Sequence, residues 1–227
     1  MLFAYPLAVV ALFSTLPTFV SAQDRNSVEE QAAISDPAEQ CQYYNYPPIA
    51  GQAVNFPKTW ETAEILPNDA AARAKFDEIS KSIPNIASKG NISQTLGTYD
   101  AKNDPDCWWS ATECTTAKAE GVPSDIVLVP EPQTLGYGFD DGPNCSHNAF
   151  YDYLTSQNQK ATMFYIGSNV LGWPLQAKRA LEDGHEICVH TWSHQAMTGL
   201  SNEQAFAEIY YTVGLFNATT QAKLIVM

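Results

Sequence analysis

The fold of this chain is indicated by an apolar run in its second half, Ala161-Thr162-Met163-Phe164-Tyr165-Ile166-Gly167. The run is rich in residues that favour strands and ends at a glycine, which is typical of a buried strand. On its N-terminal side, Leu135 to Phe139 alternates apolar with small residues, and on its C-terminal side Glu186 to His190 forms a similar apolar segment. We therefore predict three strands in this part of the chain.

Helical segments separate and follow these strands. His147 to Gln157 has helical periodicity, and Pro174 to Asp183 has a proline in its first turn and Gly184 just beyond its end. Ser201 and Gln204 have the spacing of a capping box that opens a helix to about Phe216. Alternating strands and helices predict a parallel α/β sheet, and three strands form the opening part of a (β/α) barrel.

The first half of the chain differs in composition and in hydrophobic pattern. Residues 1–22 have the apolar segment and small-residue cleavage site of a secretory signal peptide. Residues 23–40 are polar, acidic and without periodicity, which predicts a flexible leader. Residues 41–132 are rich in Tyr, Pro and Asn and predict a loop-rich extension with one helix, capped by Asn68-Asp69 and ending near Ser82. The α/β part then covers residues 133–227.

Composition excludes some partners and suggests a compartment. The chain has 12 basic and 25 acidic residues, and a net charge of −13 argues against nucleic-acid binding. In a secreted chain its cysteines are disulfide candidates, and because there are five of them one lacks a partner: Cys41, Cys107, Cys114, Cys145 and Cys188. Cys107 and Cys114 are close enough for a local bridge, and no cysteine metal-site spacing occurs.

Two surface features remain open. Glycosylation sequons begin at Asn91, Asn144 and Asn217, and Asn91 is the most credible acceptor. The adjacent Trp108 and Trp109 suit either stacking on sugar rings or anchoring of a loop to the core.

Two motifs stand at the carboxyl ends of predicted strands. Phe139-Asp140-Asp141-Gly142-Pro143 follows the first, and His190-Thr191-Trp192-Ser193-His194 ends the third. Because this edge of an α/β sheet is where sites are built, the motifs should converge. Imidazole and carboxylate suit a divalent ion such as zinc, and histidines four residues apart on one helical turn would face one point. One aspartate would complete the ligand set while the other takes a proton from water.

Each motif alone has a plainer interpretation. An isolated Asp-Asp-Gly-Pro sequence is most often a turn, and an isolated pair of histidines four apart is often two unrelated polar residues. Their joint occurrence at matched strand ends favours a metal site. We treat His147 and His185 as structural, since no His-Glu-x-x-His protease motif is present.

These motifs resemble the first two motifs of the polysaccharide deacetylases of carbohydrate esterase family 4. The chain from Leu135 to about Phe216 resembles fungal chitin deacetylases, and residues 41–132 are similar to the N-terminal extension of basidiomycete-type members. The resemblance implies a distorted barrel of the NodB-homology type. It also implies that Asp140 is the general base and that Asp141, His190 and His194 bind zinc, or cobalt in some members.

The resemblance further implies a secreted or cell-wall hydrolase that removes acetate from chitin or chito-oligosaccharides and leaves chitosan. We expect a monomer, no nucleic-acid partner, and contact with a membrane only through an anchor outside this chain. Two alternative functions stay open: a non-catalytic chitin-binding protein, and a deacetylase for another acetylated polysaccharide such as xylan or peptidoglycan.

The family pattern continues beyond this sequence. An arginine-bearing motif, an Asp-and-Trp motif and a Leu-x-His motif that carries the general acid are expected after His194, and none of them occurs. We therefore expect a C-terminally truncated form with an incomplete barrel. Expressed alone, it should fold poorly and be nearly inactive.

Overall fold

A computed structural model of the chain describes residues 25 to 220, apart from residues 85, 91–94, 96, 119, 121 and 127. The predicted signal peptide and the sequon at Asn91 lie outside the described residues.

Three parallel strands form one sheet in the order β1-β2-β3: Gly138–Gly142, Thr162–Tyr165 and Glu186–Val189. Phe139 is paired with Met163, and Met163 with Ile187, so these three side chains share one face. The predicted three-stranded parallel sheet is confirmed. The first strand begins at Gly138 rather than near Leu135, because the register with its neighbour begins where Gly138 lies opposite Thr162.

The helices, in chain order, are α1 Val28–Ala32, α2 Pro37–Gln40, α3 Pro47–Ala50, α4 Ala70–Ile79, α5 Trp109–Thr112, α6 Asn148–Ser156, α7 Gly167–Gly172, α8 Pro174–Glu182 and α9 Asn202–Thr220. Short 3-10 turns cover Ala53–Asn55, Ser80–Ser82 and Met197–Gly199. Strands and helices alternate as predicted, which gives the opening part of a (β/α) barrel.

Local capping explains where the long helices begin. The Asp69 carboxylate accepts a hydrogen bond from the Ala72 amide at 2.9 Å and caps α4. Ser201 and Gln204 exchange hydrogen bonds of 3.1 and 3.2 Å between side chain and backbone, which confirms the predicted capping box of α9. The last helix continues to Thr220, four residues beyond the predicted end.

One core joins the α/β part to the extension. Met163, Tyr165 and Ile187 of the sheet are buried in the same cluster as Leu215 and Phe216 of α9. The extension contributes to this cluster as well, through Ile49, Ala63, Ile65 and Ala72. The part of the extension from Ile49 to Ala72 therefore packs against the α/β part, and the sheet is supported from both halves of the chain.

The prediction of a flexible leader over residues 23–40 is wrong for the part described. That part contains α1 and α2, and the Arg25 side chain is 4% exposed. Arg25 donates to the Gln40 carbonyl at 2.9 Å and to the Gln31 side chain at 3.2 Å, while Asn148 donates to the Gln31 carbonyl at 2.7 Å. The segment is ordered because these specific buried hydrogen bonds tie its polar groups to the rest of the chain, although Nε2 of Gln31 is buried without a partner among the described residues.

The extension also differs from the predicted single helix. Among its described residues, the one helix longer than a turn is α4, as predicted, but α3 and α5 add four residues each. Helices this short leave no periodic pattern in the sequence. Within the described residues, no helix has the length and apolar character that a membrane span requires.

Candidate metal centre

The aspartate pair lies at the carboxyl end of β1. Asp141 has a left-handed backbone with φ 68°, and its carbonyl accepts a hydrogen bond from the Asn169 side-chain amide at 2.7 Å. Gly142 is buried and follows at once, and a Cβ there would lie 2.5 Å from the Tyr165 ring. The turn therefore requires glycine after Asp141, because no larger residue fits between the turn and β2.

The two histidines are carried by a loop that begins directly after β3. Thr191 and His194 have left-handed backbones, with φ 66° and 58°, and the His194 amide donates to the Thr191 hydroxyl at 3.0 Å. Trp192 between them is fully buried. The expectation that one helical turn brings the histidines together is wrong. A loop does so instead, through two reversals of the backbone.

The predicted ligand residues converge. Nε2 of His190 lies 3.2 Å from Oδ1 of Asp141, and Nε2 of His194 lies 3.1 Å from the same oxygen. The ligand atoms of all three residues lie within 4.8 Å of one another. Two imidazoles and one carboxylate form the ligand type of catalytic zinc sites, so these residues fit a divalent ion. The three side chains are exposed or half-buried, which leaves the site open to solvent.

Asp140 precedes this cluster and is not one of its three ligand residues. Its side chain is exposed at the end of β1. Because neighbouring residues of a strand point in different directions, the Asp140 carboxylate need not face the three converging residues.

The remaining histidines are not among the three converging residues. His185 is 3% exposed, and its Nδ1 accepts a hydrogen bond from the Ala161 amide at 3.3 Å. His147 Nδ1 lies 3.2 Å from both the Asn144 amide nitrogen and the Tyr151 hydroxyl. Burial lowers the pKa of both rings, that of His147 to about 4.

The depressed pKa of His147 predicts a pH dependence of stability. The unfolded state, with a pKa of about 6.5, binds a proton more readily than the folded state. Stability should therefore fall as the pH drops from about 6.5 to about 4, by about 3 kcal/mol at most. Urea unfolding of wild type and His147→Gln across this range should show a smaller decrease in the variant. Equal slopes would contradict the assignment.

A second grouping of metal-type residues is not a metal site. Asp104, Cys107 and Cys114 lie together, but the two cysteines form a disulfide, as predicted, and offer no thiolate. Beside them the Trp108 ring packs edge-on against Tyr99 at 4.9 Å, whereas Trp109 is 61% exposed. The first tryptophan is thus anchored in its loop and the second faces solvent.

The remaining cysteines settle the pairing that the sequence left open. Cys41 is bonded to Cys145, 104 residues later, and Cys188 is free. The Cys145 carbonyl also accepts from the Gln176 side chain at 3.0 Å. The bridge therefore ties the start of the extension to the segment that follows the aspartate turn.

Sequence reasoning missed the residues that support both motifs. Asn169 holds the aspartate turn, and Ser168 and Glu208 hold the histidine loop. The sequence offers one indirect indication of these supporting residues: Glu208 is an acidic residue at a position of α9 that faces the core.

Comparison with known proteins agrees with this geometry. Residues 129–226 match a family model described as polysaccharide deacetylase. Chitin deacetylase 2 of Cryptococcus neoformans var. grubii is 53% identical over 191 residues, which cover 81% of this chain and 42% of that protein. Chitin deacetylase of Amylomyces rouxii is 46% identical over 200 residues, covering 82% of this chain and 46% of its own.

Among solved structures, the peptidoglycan deacetylase PdaC from Bacillus subtilis is 34% identical, with a TM-score of 0.38, and the match covers 39% of this chain and 44% of that one. The chain spans less than half the length of the two curated fungal relatives. The predicted resemblance is confirmed, and it reaches beyond the α/β part into the extension, because the match covers about four-fifths of the chain. Residues 129–226 therefore belong to the polysaccharide deacetylase family, and the fungal chitin deacetylases are homologues of this chain.

Proposed function

We propose that this chain carries the water-activating half of a chitin deacetylase site. The observation that supports it best is the approach of two histidine Nε2 atoms to a single oxygen of Asp141, at 3.2 and 3.1 Å. Asp141, His190 and His194 would hold a divalent ion, zinc or cobalt. The substrate would be an N-acetylglucosamine polymer, as the names of the fungal homologues suggest.

The ion, when bound, would supply Lewis-acid activation of water and of the acetamide carbonyl. Asp140 would accept a proton from the attacking water on its carboxylate as general base. A carbon–oxygen bond then forms at the acetyl carbon, the carbon–nitrogen bond breaks, and the leaving nitrogen takes up a proton from solvent. Acetic acid releases its own proton to solvent, so the products are acetate and a free amine on the sugar. The exposure of Asp140 and Asp141 suits a reaction on a long polymer, since the polymer need not enter a closed cavity.

The proposed setting is the cell wall or the extracellular space. Two disulfides, Cys41–Cys145 and Cys107–Cys114, support it because such bonds persist in oxidising compartments. We further propose that the protein acts as a monomer on chitin or chito-oligosaccharides.

Asp140→Asn tests the role of the proposed base. We expect acetate release from a chitin oligomer to fall by about 100-fold or more, since general-base catalysis contributes at least that factor. Metal affinity should be retained, because Asp140 is outside the ligand cluster. Acetate is measured in single turnovers, with protein in excess over oligomer and Zn²⁺ or Co²⁺ added.

Asp77→Asn is the matched control, because it neutralises an exposed carboxylate on α4. It should release acetate like the wild type. Undiminished release by Asp140→Asn would contradict the proposed base.

One observation favours a second candidate, a non-catalytic chitin-binding protein. Trp109 is 61% exposed beside the disulfide-closed loop and could stack on a sugar ring. Chitin binding that survives Asp140→Asn, with no acetate released by either form, would favour this candidate over the enzyme.

A further inference from the structure

The loop from His190 to His194 has no regular secondary structure, yet hydrogen bonds fix its backbone along its length. The His190 amide donates to the Tyr165 carbonyl at 2.9 Å, and the Thr191 carbonyl accepts from the Gly167 amide at 2.9 Å. The Trp192 carbonyl accepts from the Ser168 amide at 3.0 Å and from its hydroxyl at 2.7 Å. These bonds join the loop to β2 and α7.

The amides at the middle of the loop have a different partner. Trp192 and Ser193 both donate to Oε2 of Glu208, at 2.7 and 2.8 Å. Oε1 of the same carboxylate accepts from the Ser193 hydroxyl at 2.6 Å and from the Ala63 amide at 2.7 Å. Glu208 is fully buried on α9, and all four donors to it are backbone amides or a hydroxyl.

We propose that Glu208 is a positioning residue for the metal ligands His190 and His194. This inference rests on the proposed function, because it takes these two histidines as ligands. Glu208 holds the two residues next to the reversals at Thr191 and His194, which lie in left-handed conformations that non-glycine residues seldom adopt. Such conformations persist only where the surroundings determine them.

The same carboxylate joins the loop to the extension. Ala63 donates to it, and nearby the Lys58 carbonyl accepts from the Trp192 indole nitrogen at 2.9 Å. The Phe56 ring also stacks on Trp192, with centroids 5.9 Å apart. The extension therefore takes part in placing the histidines, with Glu208 at the junction of extension, loop and α9.

Glu208→Gln tests the inference, since it preserves the side-chain volume but replaces one acceptor oxygen by a donor. Its NH₂ group would face amides or a hydroxyl that now donate to an oxygen. We expect affinity for Co²⁺ to fall by about 10- to 100-fold, as for other residues that orient metal ligands, and the visible absorption bands of bound Co²⁺ to shift. Affinity is measured by Co²⁺ titration of the purified protein, alongside its thermal unfolding midpoint.

Thr219→Val is the matched control. Thr219 is buried on the same helix and donates to the Leu215 carbonyl at 2.8 Å, without touching the loop. This variant should lower the unfolding midpoint and leave Co²⁺ affinity and spectrum unchanged. A purely structural role of Glu208 predicts the same result for Glu208→Gln, so a folded variant with wild-type Co²⁺ binding would overturn the inference.

Ser193→Ala decides the question if Glu208→Gln does not fold. It removes only the hydroxyl donor to Oε1. A several-fold loss of Co²⁺ affinity with a shifted spectrum is expected, and unchanged binding would overturn the inference. The proposed metal site itself fails if the wild type does not bind Co²⁺, or if His190→Ala does not abolish the binding. That outcome is distinct from a failure of Glu208 alone.

Discussion

Replacing His190 by alanine should lower the affinity for Zn²⁺ or Co²⁺ by more than about 100-fold. A residue that only orients a ligand is worth about 10- to 100-fold, and His190 is one of the ligands themselves. Its Nε2 lies 3.2 Å from Oδ1 of Asp141, so its loss leaves one imidazole and one carboxylate. Competition with a chelator of known affinity measures the effect.

His194→Ala should cause a loss of similar size, because the two rings approach the same oxygen at nearly the same distance. The double variant should bind little worse than either single one, since the ligand set is already incomplete. His147→Gln serves as the control, because it removes a histidine that is not among the converging ligands. Wild-type affinity in His190→Ala, or an equal loss in His147→Gln, would rule out the proposed ligands.

Gly167→Ala should destabilise the protein by about 3 kcal/mol, at the upper end of the effect of overpacking a core. A Cβ at this position would lie 2.5 Å from the ring of Trp192 and 2.8 Å from the Thr212 hydroxyl oxygen. Both side chains are fully buried and have no room to move aside. Urea unfolding with linear extrapolation gives the free energy of unfolding.

Gly172→Ala provides a control on the same helix. A Cβ there meets nothing within 4 Å, so the variant should be neutral or slightly stabilising. The contrast between the two variants separates packing against Trp192 from any general effect of alanine in α7. Equal stability of Gly167→Ala and wild type would mean that Trp192 does not fill the space beside the loop.

The α/β part of the fold could be predicted because its signals are local. The apolar run at Thr162–Tyr165, Pro174 at a helix start and the Ser201–Gln204 capping box each act within a few residues. The convergence of Asp141 with the histidines followed from one rule, that parallel strands end at a common edge.

The features that the sequence did not indicate depend on contacts between residues that are far apart in the chain. From the sequence alone, Arg25 is expected to be a solvent-exposed charge. Only the fold brings the Gln40 carbonyl beside its guanidinium group. The Cys41–Cys145 bridge joins residues 104 apart, and no spacing rule selects it among the possible pairs. The left-handed Thr191 could not be predicted either, because a β-branched residue adopts this conformation only when its surroundings impose it.

Glu208 combines both difficulties. Its four donors come from residues 15, 16 and 145 positions away, and a single acidic residue in a helix is usually solvated. Sequence reasoning could find the three converging residues but not the buried carboxylate that holds their loop.

The Cys41–Cys145 bridge affects how a proteolytic cut in this protein can be detected. It encloses nearly all of the extension, including the strongly exposed side chains of Ile126 and Leu128. Exposed segments of this kind are where proteases cut first. A single cut there would leave both fragments in one covalent molecule of almost unchanged mass. Electrophoresis after reduction would separate a nicked chain from a whole one, whereas electrophoresis without reduction would not.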